Sequence, residues 1–206
     1  MDWKKWLEEK QQESPMKVAE INLENMNGWK TSLVSVRRLD SGFFKLLGFR
    51  ITSAIKREIS SWDQPMVVET GKGVVVLVYS STKGVLLQAK AEPGNDSPGC
   101  MLLAPTLQTS KSNLEAVHGG KKPPRADLIT DQVKWFSLCQ DGGRYFKKRN
   151  NYAIVTVDVD TDIVPTENER WFSLPELMEA IIGGHVNEHL NQTFSLLVAQ
   201  KMCELI

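Results

Sequence analysis

The spacing of apolar residues predicts one helix near the start of the chain and two near its end. Residues 3–12 place two tryptophans and a leucine on one helical face, and so short a helix is stable only when that face packs on the protein body or across a subunit interface. Ser173, followed by a proline and then Glu176, predicts a helix start with a capping box. This helix should end at the glycine pair 183–184, and a last helix should cover 187–204.

Apolar runs predict a sheet. Strands are expected at 49–59, 66–69, 73–79, 84–91 and 153–159. The connections between the second, third and fourth of these strands are short, which favours antiparallel pairing among them.

The order of the remaining elements indicates the fold class. The proline- and glycine-rich stretch 92–124 is expected to be a long functional loop, and the mixed apolar pattern over 126–138 predicts a helix. Strands come first and helices last, an order typical of an α+β fold with an antiparallel or mixed sheet flanked by helices. We expect a helix and polar connector over 1–42 and a single domain over 43–206.

Composition excludes several partners. The chain has 206 residues with 25 basic and 25 acidic side chains, so it lacks the positive field that holds nucleic acid. The longest apolar stretch is far shorter than a membrane helix requires, and no membrane association is expected. The charged amino terminus and three widely spaced cysteines favour a reducing, cytoplasmic location.

The sequence contains little evidence for a metal site or a cofactor site. His185-Val186-Asn187-Glu188-His189 matches an inverted zinc-protease pattern, but a third ligand is lacking and the motif lies at a helix start. We therefore expect no metal. Neither a phosphate-binding P-loop nor a dinucleotide fingerprint is present, and no cofactor is expected.

Two segments carry candidate chemistry. In an extended strand Gln88, Lys90 and Glu92 share one face, which is either a reactive surface or an exposed sheet face with a weak ion pair. Residues 142–151 combine two glycines, four cations and two aromatic residues. Such a cluster suits a diphosphate or a solvated surface, and nucleic acid less well.

Several longer motifs point to one family. They are residues 62–65 (Trp-Asp-Gln-Pro), 88–95 (Gln-Ala-Lys-Ala-Glu-Pro-Gly-Asn), 104–113 (Ala-Pro-Thr-Leu-Gln-Thr-Ser-Lys-Ser-Asn), 117–120 (Val-His-Gly-Gly), 142–150, and 171–174 with 186–187. In this order they resemble the nucleotide-diphosphate-hexose 2,3-dehydratases of deoxysugar biosynthesis, over roughly residues 43–198.

The resemblance implies a fold and a reaction. The fold would be a Nudix-like core without pyrophosphohydrolase activity, and the metal-binding Nudix run is missing from this sequence. The reaction would be a lyase step that removes the C2 hydroxyl and the C3 proton, as water, from a nucleotide-linked 4-keto-6-deoxyhexose, expected to be dTDP-linked. Family members usually carry two tandem units, so one unit suggests a homodimer.

The resemblance also implies roles for residues. His118 or Glu92 would be the base or acid, with His118 preferred because imidazole titrates near neutral pH, and Lys90 with Gln88 would lie near the enolate. The substrate would be bound by Trp62, Gln64, Asn95, Thr106, Gln108, Asn113, Asn150 and, at the diphosphate, by Arg144, Lys148 and Arg149.

Two positions depart from the family pattern. Gln140 stands where the family tends to have glutamate, and the segment from Glu188 to Gln192 lacks an expected arginine. Two alternatives therefore stay open: a catalytically silent nucleotide-sugar-binding protein, or an enzyme of the same scaffold that acts on another small molecule.

Overall fold

The computed structural model describes residues 2–40, 43–53, 58–117, 119, 121–158 and 163–204. These residues form two sheets and four α-helices. The helices are α1 (Trp3–Glu13), α2 (Lys111–Leu114), α3 (Leu174–Ile182) and α4 (Glu188–Cys203).

The first sheet is an antiparallel meander in sequence order. Its strands are β1 (Trp29–Thr31), β2 (Ser35–Arg38), β3 (Lys45–Thr52) and β4 (Ser61–Val68). The backbone of Val67 in β4 exchanges hydrogen bonds with Arg144 and Phe146, and the Phe146 ring stacks on Phe49 with centroids 4.4 Å apart. These contacts attach the first sheet to the loop formed by residues 140–148.

The second sheet is mixed and carries most of the core. Its strands are β5 (Val74–Ser80), β6 (Gly84–Ala91), β7 (Met101–Pro105), β8 (Leu107–Thr109), β9 (Phe136–Cys139), β10 (Arg149–Val157) and β11 (Glu169–Phe172). The main path runs β11-β6-β5-β10-β9, with β10 parallel to β5 and the other pairs antiparallel. The α+β class with a mixed sheet flanked by helices is confirmed.

Strands β5 and β6 begin as a hairpin and then separate. Where they part, β7 pairs with β6 and β8 pairs with β5. The buried Thr106 lies at the crossing, where its hydroxyl accepts from Val78 N at 2.9 Å and donates to the carbonyl of Leu86. The hydroxyl thus replaces the ladder bond lost where the two strands diverge, and the gap beyond it opens into a cleft.

Helix α1 packs on the body of the protein, in agreement with its apolar stripe. Trp3 and Leu7 are buried with Phe172, Leu177 and neighbouring residues in the main core cluster. The Trp3 indole also donates to Glu179 Oε2 at 3.1 Å. The first helix of the expected connector region therefore shares one core with α3.

The predicted C-terminal helices are confirmed. Ser173 caps α3 with a complete capping box to Glu176, and α3 ends at Ile182, just before the glycine pair. Asn187 caps α4 by accepting from Leu190 N at 3.0 Å.

Three expectations about the middle of the chain are wrong. The stretch 92–124 is not one loop, because 101–109 forms β7 and β8. Residues 126–138 form a short 3-10 turn and β9 instead of a helix. Residues 66–69 do not pair with β5, because β4 pairs with β3 in the other sheet. Among the described residues, no helix has the length and apolar character to cross a bilayer.

Candidate functional site

A cleft of about 260 Å³ lies where β5 and β6 diverge. Side chains from both strands, from β8, β10, α4 and the connecting loops surround it. The lining residues are Glu69, Gly73, Val75, Lys90, Glu92, Gln108, Thr109, Ser110, Asn113, Gln140, Tyr145, Lys148, Asn150 and His189. Most of these side chains are polar or charged, so the cleft is suited to a polar ligand.

The carboxylate of Glu92 is held by two side-chain amides. Gln108 Nε2 donates to Glu92 Oε1 at 2.9 Å, and Asn187 Nδ2 donates to Glu92 Oε2 at 3.2 Å and to Gln108 Oε1 at 2.7 Å. Because Leu190 N donates to Asn187 Oδ1, the amide group of Asn187 must face Glu92. The carboxylate is therefore fixed in place and retains lone pairs for a ligand.

Two ammonium groups line the cleft together with this carboxylate. The ammonium group of Lys90 has no hydrogen-bond or ion-pair partner among the residues that the structure describes. Lys148, with a side chain only 5% exposed, pairs with Glu69 at 2.9 Å and donates to Gly71 O at 3.0 Å. An ammonium has three N–H groups, so one of those of Lys148 remains for a ligand.

His189, which lines the cleft, forms a hydrogen-bonded pair with the fully buried Tyr152. The Tyr152 hydroxyl lies 2.7 Å from His189 Nδ1 and 3.0 Å from Gln140 Nε2. Burial raises the pKa of Tyr152 to about 12. Burial also lowers the pKa of His189 below its ordinary value of 6.5, so that the imidazole is neutral at pH 7.

The structure brings together six of the residues singled out from the sequence. Lys90, Glu92, Gln108, Asn113, Lys148 and Asn150 line the cleft. His118 lies outside the described residues, and its role stays a prediction.

Three other predicted residues make structural contacts with the main chain. Gln88 Nε2 donates to Pro105 O and Thr106 O at 2.7 and 3.2 Å. Asn95 Nδ2 donates to the carbonyls of Lys90 and Cys100. Thr106 forms hydrogen bonds with Val78 N and the carbonyl of Leu86 where β5 and β6 separate. These side chains hold the strands that form the cleft.

The remaining predicted residues lie outside the lining of the cleft. Trp62 and Gln64 are on β4, where the Trp62 indole donates to Gln64 Oε1 and Gln64 Nε2 donates to Gly143 O, each at 2.7 Å. Arg144 is exposed beside Tyr145 and pairs with Asp141 at 3.3 Å. The Arg149 guanidinium donates to Ser137 O and Oγ and contacts Cys139 Sγ.

The sequence interpretation missed Glu69 and Tyr152, which belong to no local motif that predicts a cleft. It noted Tyr145 only as an aromatic residue of the cluster 142–151, and His189 only in the metal pattern and in the segment that lacks an expected arginine. Gln140 was noted as a departure from the family pattern, and it lines the cleft beside Tyr152.

The two histidines of the zinc-protease pattern lie in different places. His185 precedes α4 and contacts the Trp3 ring with centroids 5.5 Å apart, whereas His189 faces the cleft. Within the described part of the chain, no group of three or more His, Cys, Asp or Glu side chains is placed to bind a metal ion.

Comparisons with known proteins identify the family. The sequence profile described as NDP-hexose 2,3-dehydratase matches residues 1–198. A dTDP-4-dehydro-6-deoxy-alpha-D-glucopyranose 2,3-dehydratase of Saccharopolyspora spinosa is 27% identical over 188 residues, which are 87% of this chain and 38% of that protein. A protein of the same name from Streptomyces violaceoruber is 29% identical over 170 residues, 78% of this chain and 37% of that protein.

The chain spans well under half the length of both relatives. Among solved structures, an ADP compounds hydrolase is 13% identical to this chain, with a TM-score of 0.45. The match covers 82% of this chain and 95% of the hydrolase. That score is too low to establish a shared fold. The profile match extends over nearly all of the sequence, and the chain belongs to the NDP-hexose 2,3-dehydratase family.

Proposed function

We propose that this protein is a lyase that removes water from a nucleotide-diphosphate-linked 4-keto-6-deoxyhexose. The observation that carries the proposal is the cleft, which is lined by the immobilised Glu92 carboxylate and by the Lys90 ammonium, for which the described residues offer no partner. Membership of the family supports the substrate class.

Glu92 is suited to act as the general base. The C4 ketone acidifies the C3 proton of such a sugar, so a positioned carboxylate can remove that proton and leave an enolate. Lys90 is the cation that stabilises the enolate oxygen. The C2 hydroxyl then leaves as water with a proton from an acid, and the resulting enol tautomerises to a 3,4-diketo sugar.

The nucleotide is proposed to be dTDP, because the names of both relatives specify a dTDP-linked sugar. The third N–H of Lys148 and the exposed guanidinium of Arg144, next to the lining residue Tyr145, are the donors that we assign to the diphosphate. Arg149 is less available because its guanidinium already donates to Ser137.

We also propose that two copies associate and that the protein works in the cytoplasm. Helices α3 and α4 expose the apolar side chains of Met178, Ile182 and Met202, and such surfaces mark interaction sites. The three cysteines form no disulfide, as expected in a reducing compartment. Light scattering at micromolar concentration would give twice the chain mass; the mass of one chain would refute the dimer.

The test of the function is a comparison of binding with turnover. The protein is incubated with a dTDP-linked 4-keto-6-deoxyhexose, and the products are analysed by mass spectrometry for the loss of one water. Ligand-detected NMR measures binding in parallel. A silent nucleotide-sugar-binding protein would bind the nucleotide and return the sugar unchanged, which would refute the lyase.

A further inference from the structure

A directional chain of hydrogen bonds leads through the protein to the cleft. Gln192 Nε2 donates to Glu188 Oε1 at 3.1 Å, and Gln140 Nε2 lies 3.4 Å from Gln192 Oε1. The same Gln140 nitrogen is 3.0 Å from the Tyr152 hydroxyl, which lies 2.7 Å from His189 Nδ1. The chain thus connects an exposed carboxylate to an imidazole in the lining of the cleft.

The carboxylate sets the direction of this chain. An ionised Glu188 only accepts hydrogen bonds, so Gln192 must turn its NH₂ group toward it and its carbonyl oxygen toward Gln140. Gln140 must then present its own NH₂ group, which has a second hydrogen for the Tyr152 oxygen. Tyr152 therefore receives a hydrogen bond at its oxygen.

The Tyr152 hydroxyl has two hydrogen-bond partners among the described residues, Gln140 Nε2 and His189 Nδ1. Gln140 Nε2 is the nitrogen of an NH₂ group and can only donate. The hydrogen of the Tyr152 hydroxyl must therefore go to His189 Nδ1, the one acceptor that the described residues offer it.

The imidazole is left with one possible neutral tautomer. Since Nδ1 accepts from Tyr152, the ring proton is on Nε2. Nε2 has no hydrogen-bond partner among the described residues, and the ring lines the same cleft as Lys90 and Glu92. A fixed N–H group is therefore available to a ligand in this cleft.

We propose that His189 donates a hydrogen bond from Nε2–H to the carbonyl oxygen of the sugar, with Tyr152 and Gln140 as positioning residues that fix its tautomer. This inference rests on the proposed function. A neutral N–H group strengthens its hydrogen bond as the carbonyl becomes an enolate, so its effect appears mainly in the transition state. His189 is thus a partner of Lys90 at the enolate and not a base.

The charges around the ring are compatible with a neutral imidazole. Burial is the main cause that lowers the pKa of His189. Glu92 and Glu188 raise this pKa, whereas Lys90 and Lys148 lower it, and the phenol of Tyr152 keeps its proton because its own pKa is about 12. When the pH falls below the pKa of His189, Nδ1 becomes protonated and can no longer accept the hydrogen bond from Tyr152. Turnover should therefore fall.

The tautomer can be measured without substrate. Long-range proton–nitrogen NMR spectra of the full chain, with labelled histidine, distinguish Nε2–H from Nδ1–H. At alkaline pH we expect a single Nε2–H tautomer for His189, and Tyr152→Phe should give a mixture of both tautomers. Tyr79→Phe is the matched control, because Tyr79 lies outside the cleft beside Lys201, and it should leave the spectrum unchanged. A wild-type Nδ1–H tautomer would overturn the proposal.

Gln140→Glu tests the direction of the chain in a second way that does not remove the phenol. A carboxylate at this position would accept the Tyr152 hydrogen, so that the Tyr152 oxygen would accept from His189 Nδ1–H. The tautomer should switch, and Nε2 would become an acceptor. A variant that retains the Nε2–H tautomer would contradict the proposed role of Gln140.

Turnover gives the functional measurement. His189→Leu should reduce kcat about 100-fold, the usual loss for one transition-state donor, with a change in KM of less than about 3-fold. Gln140→Glu should also lower kcat more than it changes KM. Unchanged kcat in both variants would overturn the proposal that His189 donates a hydrogen bond to the sugar.

The two proposals fail in different ways. Protein with the Nε2–H tautomer that never releases water would refute the lyase, because the tautomer is measured without substrate. Protein that releases water while His189 carries its proton on Nδ1 would refute the donor alone.

Discussion

Replacing Asn187 by alanine tests how the Glu92 carboxylate is held. The buried Asn187 amide caps α4 through Oδ1 and donates through Nδ2 to Glu92 and Gln108. Loss of a helix cap costs about 1 kcal/mol, and loss of a hydrogen bond to a charged group costs about 1.5–3 kcal/mol. Asn187→Ala should therefore lower the free energy of unfolding by about 3 kcal/mol, a large share of the roughly 5–15 kcal/mol of a typical domain.

Two further variants separate the contributions. Asn187→Ser retains a capping hydroxyl but is too short to reach Glu92, so we expect a loss of about 2 kcal/mol. Asn191→Ala makes the same change as Asn187→Ala at an exposed position of α4 and should stay within about 0.5 kcal/mol of the wild type. Urea unfolding followed by tryptophan fluorescence gives these values. If Asn187→Ala lowered the free energy of unfolding by less than about 1 kcal/mol, the hydrogen bond from Asn187 to Glu92 would be weaker than we infer.

Three further predictions concern the fold, the pH dependence and the ligand. Thr106→Val should lower the free energy of unfolding by about 2–4 kcal/mol, because it leaves a buried N–H and a buried carbonyl unpaired; a loss below about 1 kcal/mol in urea unfolding would contradict this. Burial opposes ionisation of Glu169, yet hydrogen bonds from Arg125 and Thr166 outweigh it and lower the pKa of this carboxyl below its ordinary 4.5. The stability from this pair is present above pH 4.5 and is lost as the pH falls through the lowered value, so Glu169→Gln should be less stable than the wild type at pH 7 and lose that deficit in acid; a deficit independent of pH would refute the assignment. Arg144→Ala should weaken dTDP binding several-fold in calorimetry, most at low salt, and more than Arg149→Ala, whose guanidinium is engaged elsewhere; the reverse order would move the diphosphate to Arg149.

Local signals in the sequence were sufficient for the helices. The capping box at Ser173 and the amide cap at Asn187 are formed within a few residues of each helix start, so the boundaries of α3 and α4 follow from the sequence. The stripe of Trp3 and Leu7 likewise indicated a packed face.

Non-local pairing explains why β7 and β8 were not predicted. Residues 101–105 are mostly buried, which removes the alternation that identifies a half-exposed strand. Pro105 also argues against a strand, although here it pairs with Leu87 of β6. Without these strands, the sequence could not show that the Gln88 amide is used by Pro105 and Thr106.

The site was only partly predictable for the same reason. The alternation that placed Lys90 and Glu92 on one face is a local property, and both residues line the cleft. Glu69 follows β4, Tyr152 lies in β10 and His189 lies in α4, so their proximity to Lys90 and Glu92 depends on the paths of these three elements. The spacing of residues in the sequence does not predict contacts between such distant elements.

Solvent deuterium exchange tests the central claim most directly. In deuterium oxide, wild-type protein should introduce deuterium at C3 of the recovered dTDP-linked 4-keto-6-deoxyhexose and release water from the rest. Glu92→Gln should still bind dTDP but exchange C3 at least ~100-fold more slowly, as expected on loss of a general base. Exchange at the wild-type rate in Glu92→Gln, abolished instead in His118→Asn, would contradict the account and assign the base to the imidazole.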